Sequence, residues 1–109
     1  IDSEHDLNII TALSGSGPAF FYRMIRAFSQ FAVKQGMDYD LALSCATQTM
    51  IGAGHMLKNS DPDELIEQVR SPNGTTQCGL DIMDQLDFDG IITQVLEGTY
   101  HRAIELSEE

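Results

Sequence analysis

Basic residues are scarce in this chain. Six Lys and Arg stand against 17 Asp and Glu, which gives a formal net charge of −11 over 109 residues. Nucleic-acid binding needs cations that neutralise phosphates, and anionic membrane surfaces attract basic segments. We therefore expect neither partner, and we interpret the acidic surface as one that favours solubility.

The chain also lacks long apolar runs and has few cysteines. No run approaches the roughly 20 residues that span a membrane, and no signal peptide is visible. Cys45 and Cys78 stand among small or apolar residues in helical patterns, so we expect reduced, partly buried thiols, although the sequence leaves a disulfide open. His5, His55 and His101 do not have the spacing of metal ligands, which predicts no metal site. These features favour a cytoplasmic protein.

Alternating strand patterns are missing too, and apolar residues recur at helical spacing almost throughout. Local signals mark several helix ends. Gly36 suits the left-handed position after a helix, and Pro72 disfavours helix at the residue before it. Asp61 suits an N-cap, with Pro62 as the first helical residue and Glu64 completing a capping box. Five helices are predicted, over about residues 18–36, from 38 or 40 to about 58, 61–70, from 75 or 76 to about 86, and from 87 or 89 to about 106.

Several of these helices are apolar over more than half their circumference. A chain of 109 residues cannot bury so much apolar surface within itself. Exposed apolar faces of this extent usually mark a protein–protein interface. The predicted fold is therefore all-α: a bundle of about five helices that forms an intertwined dimer, like the C-terminal domains of dehydrogenases, with residues 1–109 as a single domain.

Residues 71–80, Ser-Pro-Asn-Gly-Thr-Thr-Gln-Cys-Gly-Leu, have the pattern of an anion-binding helix N-terminus. The first amides of a helix lack internal acceptors, and the macrodipole adds partial positive charge there. A carboxylate can bind such amides without any Arg or Lys, and a glycine lets the backbone come close to it. A plain helix cap by Thr75 or Thr76 is the alternative.

A second motif, at residues 12–20, reads Ala-Leu-Ser-Gly-Ser-Gly-Pro-Ala-Phe. A dinucleotide site usually has Gly-x-Gly-x-x-Gly between a strand and a helix. Here only Gly15 and Gly17 fit, Phe20 occupies the third glycine's place, and no strand pattern precedes them. We interpret Ser14 to Pro18 as a tight loop and a helix start, not as a cofactor site.

Together the two motifs resemble the C-terminal domain of pyrroline-5-carboxylate reductase, and the resemblance runs from about Leu7 to Leu106. Residues 46–49 and 52–57 also follow the family's order and spacing. The resemblance implies an NADPH- or NADH-dependent oxidoreductase that reduces 1-pyrroline-5-carboxylate to L-proline, the last step of proline biosynthesis. This domain would supply the interface of a homodimer, which can assemble into larger rings, and the substrate site.

The resemblance also implies that an N-terminal Rossmann domain, absent from this chain, binds most of the cofactor. The chain begins with Ile1 and not with Met, so we expect it to be part of a longer protein. On its own it is predicted to be inactive.

The substrate residues follow from the same resemblance. The amides of Gly74, Thr75 and Thr76 would bind the carboxylate of the cyclic imine. The Thr76 hydroxyl would act in catalysis by donating to the ring nitrogen, where electron density develops during reduction. Ser71 and Asn73 would complete the substrate-binding loop. Gln68 matches a position near the cofactor of the neighbouring subunit.

The chain departs from the family pattern at several positions, which keeps two alternatives open. Asn73 replaces a usual glycine, although asparagine tolerates the left-handed region better than most residues. Arg26 replaces an acidic residue, Asp61 a histidine, and Asp87-Phe88-Asp89 a Gly-Phe-Arg segment. One alternative is a divergent paralogue with another cyclic imine substrate or a non-catalytic regulatory role. The other is a helical dimerisation module without a ligand.

Overall fold

The computed structural model describes residues 3–108, and these form helices and turns without any strand. The all-α prediction is therefore confirmed. Five longer helices, α2 to α6, correspond to the five predicted ones, and a short helix and a π-helical turn precede them. In chain order the elements are α1 (Glu4–Ile10), the π-helical turn (Thr11–Gly15), α2 (Gly17–Lys34), α3 (Tyr39–Met56), α4 (Pro62–Val69), α5 (Thr75–Gln85) and α6 (Phe88–Ser107).

The helix ends follow the local signals in the sequence. The Asp38 carboxylate accepts a hydrogen bond from the Leu41 amide at 3.2 Å and caps α3. Asp61 caps α4 in the same way through the Asp63 amide at 3.1 Å, with Pro62 as the first helical residue. Gly36 adopts a φ of 103° after α2, as predicted for this position.

The region before α2 differs from its prediction. Ser14 and Gly15 belong to the π-helical turn, and only Ser16 separates that turn from α2. The Ser16 amide donates to the Thr11 carbonyl at 2.9 Å, the five-residue spacing that defines a π turn. The predicted tight loop was therefore wrong, whereas the helix start around Pro18 is confirmed.

Contacts divide the chain into two compact units. The first contains the described residues up to Phe20 and from Cys78 onward. In it, α1 and the π-helical turn pack against α6, the Tyr100 hydroxyl lies 3.0 Å from His5 Nδ1, and Ala12 is buried. The second unit comprises Phe21–Gln77. There Ala42, Ala46 and Ser29 are buried, and the Ser29 hydroxyl donates to the Ile25 carbonyl.

Neither unit buries a large apolar side chain among the residues that the structure describes. The buried hydrophobic residues are three alanines, whereas Phe31 is 65% exposed and Val69 is 68% exposed. Burying a side chain of this size contributes about 1.5–3 kcal/mol, so faces like these are unfavourable in water without a partner. The apolar excess inferred from the sequence is therefore present on the surface of each unit.

The two cysteines are an exception to the expected burial. Cys45 on α3 and Cys78 on α5 are both free thiols, as expected, but both are exposed within the chain. The prediction of partial burial from their small and apolar neighbours was therefore wrong for the chain taken on its own. Within residues 3–108, no helix is both long and apolar enough to cross a membrane.

Candidate functional site

A tight turn joins α4 to α5 and shapes the candidate site. Arg70 leaves the helix with an extended backbone (φ −88°, ψ 130°), and Pro72 follows two residues later. The Gly74 amide donates to the Ser71 carbonyl at 2.9 Å, which closes the turn. Proline in the second position and a positive φ in the third are the pattern of a type II turn.

Asn73 and Gly74 are the residues that this turn requires. Asn73 has a φ of 62°, in the left-handed region that asparagine tolerates better than most residues. A Cβ on Gly74 would lie 2.6 Å from the Ser71 hydroxyl oxygen and 3.0 Å from the Ser71 carbonyl oxygen. A side chain at Gly74 would therefore crowd both Ser71 oxygens, so the Ser71 hydroxyl or the turn would have to shift to accommodate it.

Substitutions at Asn73 should separate the backbone requirement from the side chain. Because glycine reaches a positive φ without steric cost, Asn73→Gly should leave the free energy of unfolding within about 0.5 kcal/mol of the parent. Asn73→Ala should cost about 1–2 kcal/mol, since Cβ disfavours this region. Urea unfolding followed by circular dichroism measures both values. Equal stability of the alanine and glycine variants would contradict the assigned conformation.

Helix α5 begins at Thr75, directly after the turn. The amides of Thr75 and Thr76 lie in its first turn, where no acceptor exists within the helix. Their hydroxyls form no hydrogen bond with any residue from 3 to 108, whereas Asp38 and Asp61 cap their helices with side-chain oxygens. The Gly74 amide is already used by the turn. The open donors at this helix start are therefore those of Thr75 and Thr76.

A concavity of about 500 Å³ lies beside the turn. Arg70 is half-buried there and forms an ion pair with Glu67, one turn earlier on α4. This ion pair was not predicted from the sequence. The concavity is lined by Glu67, Arg70, Pro72, Asn73 and Gln77.

Gln68 lies on a different surface. It lines an apolar groove of about 400 Å³ between the end of α3 and α4, together with Ala53, Met56 and Val69. It does not line the concavity beside the turn. Helical geometry accounts for the separation, because successive residues on α4 point about 100° apart.

Other titratable groups show no comparable site. Glu105 pairs with Arg102 at 3.5 Å, and the His101 ring lies tilted against the Tyr100 ring. The described residues contain no group of three or more His, Cys, Asp or Glu that could hold a metal ion.

All-helical units with uncovered apolar faces define a self-associating helical domain. Comparison with known proteins identifies the family of this domain. Residues 4–106 match the family model described as pyrroline-5-carboxylate reductase dimerisation, and the chain belongs to this family. Self-association is a property of this family, and the exposed apolar faces of the chain agree with it.

Individual relatives agree with the family match. The chain is 39% identical over 108 residues to pyrroline-5-carboxylate reductase 2 of Bacillus subtilis (strain 168), covering 97% of this chain and 39% of that protein. A solved pyrroline-5-carboxylate reductase from Coxiella burnetii superposes with a TM-score of 0.91 at 30% identity, covering 97% of this chain and 40% of the other. The chain therefore spans about two fifths of the length of the relatives it matches.

A further solved relative concerns the cofactor. The Plasmodium falciparum pyrroline carboxylate reductase, solved with NADP bound, superposes with a TM-score of 0.87 at 31% identity, covering 93% of this chain and 39% of that one. A nicotinamide cofactor is therefore associated with this family. In this chain Gly15 lies in a π-helical turn and Gly17 starts α2, with no strand before them among the described residues. These residues do not form a dinucleotide-binding turn.

Proposed function

We propose that this chain is the dimerisation and substrate-binding half of a pyrroline-5-carboxylate reductase, which reduces 1-pyrroline-5-carboxylate to L-proline. Membership of the dimerisation family carries this proposal. The start of α5 supports it, because Thr75 and Thr76 offer amides and hydroxyls that no described residue uses. NADPH or NADH would supply the hydride, bound mainly by a domain outside these 109 residues.

The substrate residues have distinct roles in this proposal. The Thr75 and Thr76 amides bind the carboxylate of the cyclic imine, assisted by the partial positive charge of the helix N-terminus. The Gly74 amide already donates to the Ser71 carbonyl, so it can bind the substrate carboxylate only as a hydrogen bond shared between the two acceptors. Ser71 and Asn73 hold the turn that places α5, and the Thr76 hydroxyl donates to the ring nitrogen. Gln68 contacts the cofactor of the neighbouring subunit in this proposal; within the chain it lines a groove separate from this concavity.

Turnover by the full-length protein tests the proposal. Oxidation of NADPH and NADH is followed by absorbance with 1-pyrroline-5-carboxylate as substrate, and the isolated chain, which we expect to be inactive on its own, serves as the control. Failure of the folded, oligomeric full-length protein to turn over the substrate would favour the divergent paralogue. The replacement of the usual glycine by Asn73 does not favour that alternative, because Asn73 has a φ of 62° and so preserves the turn.

Ligand binding separates the reductase from a module that binds no ligand. L-Proline that binds only the native state should raise the melting temperature of the full-length protein, by an amount that grows with the logarithm of the proline concentration once it exceeds Kd. An unchanged melting temperature at saturating proline would favour the ligand-free dimerisation module. The free thiols fit a reducing compartment, and we place the parent protein in the cytoplasm.

Oligomeric state can be measured on this chain directly. We expect a homodimer, because several large apolar side chains of α2 and α4, among them Phe31 and Val69, are more than half exposed, and obligate interfaces are the ones that are most apolar. Light scattering should give twice the 12.0 kDa mass of the chain, with larger rings in the parent protein. A stable monomer at micromolar concentration would contradict the dimer.

A further inference from the structure

Arg70 occupies an unusual place in the charge distribution. It is the only Lys or Arg between Lys58 and Arg102, and the same stretch contains nine acidic residues. An anionic substrate that approaches this part of the chain therefore meets mostly like charge, which lowers its local concentration. Arg70 is the Lys or Arg nearest to the turn along the sequence.

The structure places this cation beside the turn that precedes the proposed carboxylate site, although Thr75 and Thr76 do not themselves line the concavity that Arg70 lines. Arg70 lines the same concavity as Pro72 and Asn73, two residues of the turn that leads into Thr75. Its side chain is 35% exposed, so its charge is less completely screened than that of a fully solvated arginine. The extended backbone at Arg70 and the turn after it hold this position relative to the start of α5.

Glu67 opposes the attraction. Its carboxylate forms an ion pair with the Arg70 guanidinium and is the more exposed partner, at 62%. The pair orients the guanidinium, but it also neutralises part of the charge that an approaching anion would meet. The two residues therefore have opposite expected effects on an anionic ligand, although each stabilises the other.

We propose that Arg70 is a substrate-specificity residue that attracts the carboxylate of the cyclic imine to the start of α5, and that Glu67 positions and attenuates it. This inference rests on the proposed function. It adds a side-chain cation to a site that otherwise depends on backbone amides and the Thr76 hydroxyl. The effect acts on substrate binding and leaves the chemical step unchanged.

Steady-state kinetics of the full-length protein with 1-pyrroline-5-carboxylate and saturating NADPH test the inference. Arg70→Gln should raise KM on the order of fivefold, with kcat unchanged, because it removes a charge that acts before the reaction. Arg70→Lys should restore most of the affinity, since the charge remains. Glu67→Gln should lower KM, because the guanidinium then faces the substrate without a competing anion.

Salt dependence and a matched control distinguish electrostatics from a general structural effect. Raising NaCl from low to high concentration should increase KM of the parent protein and have a smaller effect on Arg70→Gln. Lys34→Gln, which removes the same charge from the end of α2, should keep the KM and salt response of the parent. An unchanged KM in an active Arg70→Gln variant would overturn the role of Arg70 alone. Absence of turnover in the parent protein would instead overturn the proposed function, and this inference with it.

Discussion

Replacing Thr76 with alanine in the full-length protein is expected to lower kcat for 1-pyrroline-5-carboxylate by about 10²–10³-fold, the usual effect of removing one donor aimed at developing charge. Reduction of the imine carbon leaves electron density on the ring nitrogen. A hydroxyl already placed at that nitrogen stabilises the transition state more than the ground state, so its loss should appear in kcat more than in KM.

Folding should be almost unaffected by the same substitution. The Thr76 hydroxyl forms no hydrogen bond with the residues from 3 to 108, so alanine removes no bond that stabilises the chain. Surface substitutions of this kind change the free energy of unfolding by about 0.5 kcal/mol or less. Thermal melting and light scattering of Thr76→Ala should therefore match the parent protein.

Two further variants make the Thr76 result specific. Thr76→Ser keeps the hydroxyl and should retain much of the parent kcat. Thr49→Ala removes a hydroxyl that donates only to the Cys45 carbonyl of its own helix, at 2.7 Å, and should leave kcat unchanged. Full activity of Thr76→Ala would exclude the hydroxyl as the donor to the ring nitrogen, although the amides could still bind the carboxylate.

The features that the sequence predicted correctly depend on neighbours in the chain. Asp38 and Asp61 cap helices because a side-chain oxygen reaches amides two or three residues ahead. Asn73 adopts a positive φ between Pro72 and Gly74, a preference that belongs to the turn itself. Local chemistry of this kind needs no knowledge of the fold.

The features that the sequence did not predict depend on distant residues or on a partner. The π-helical turn packs against α6, about 80 residues away, and a pattern of Ser and Gly does not reveal that contact. The cysteines are exposed because the chain does not itself cover their faces. The ion pair between Glu67 and Arg70 could have been predicted from the sequence, since side chains three residues apart at a helix end are neighbours.

Replacing Gly74 with alanine should damage the site through its backbone. The new Cβ would lie 3.0 Å from the Ser71 carbonyl oxygen, the same atom that accepts the hydrogen bond from the Gly74 amide. A side-chain hydroxyl can rotate away, but this carbonyl cannot move without opening the turn. We expect the free energy of unfolding to fall by about 1–3 kcal/mol. We also expect kcat/KM to fall about 10²-fold, because misplacing substrate-binding groups by about 1 Å is enough to cause a loss of this size.

A double-mutant cycle with Ser71 divides that effect into its two contacts. Ser71→Ala removes the hydroxyl oxygen that would lie 2.6 Å from the new Cβ, but it leaves the carbonyl oxygen in place. The double variant Ser71→Ala/Gly74→Ala should therefore be less impaired than the sum of the single variants, yet still below Ser71→Ala alone. Chemical unfolding and kcat/KM of all three variants measure the coupling.

Gly79→Ala provides the control on the same helix. A Cβ at Gly79 would meet no atom within 4 Å, and the residue lies inside α5. Alanine there should stabilise the chain by about 1 kcal/mol, as expected for a helix interior. If Gly74→Ala were as stable and as active as Gly79→Ala, the close approach of the Gly74 backbone to Ser71 would not be what places the Thr75 and Thr76 amides. The carboxylate site would then have to depend on side chains, and Arg70 is the cation available next to it.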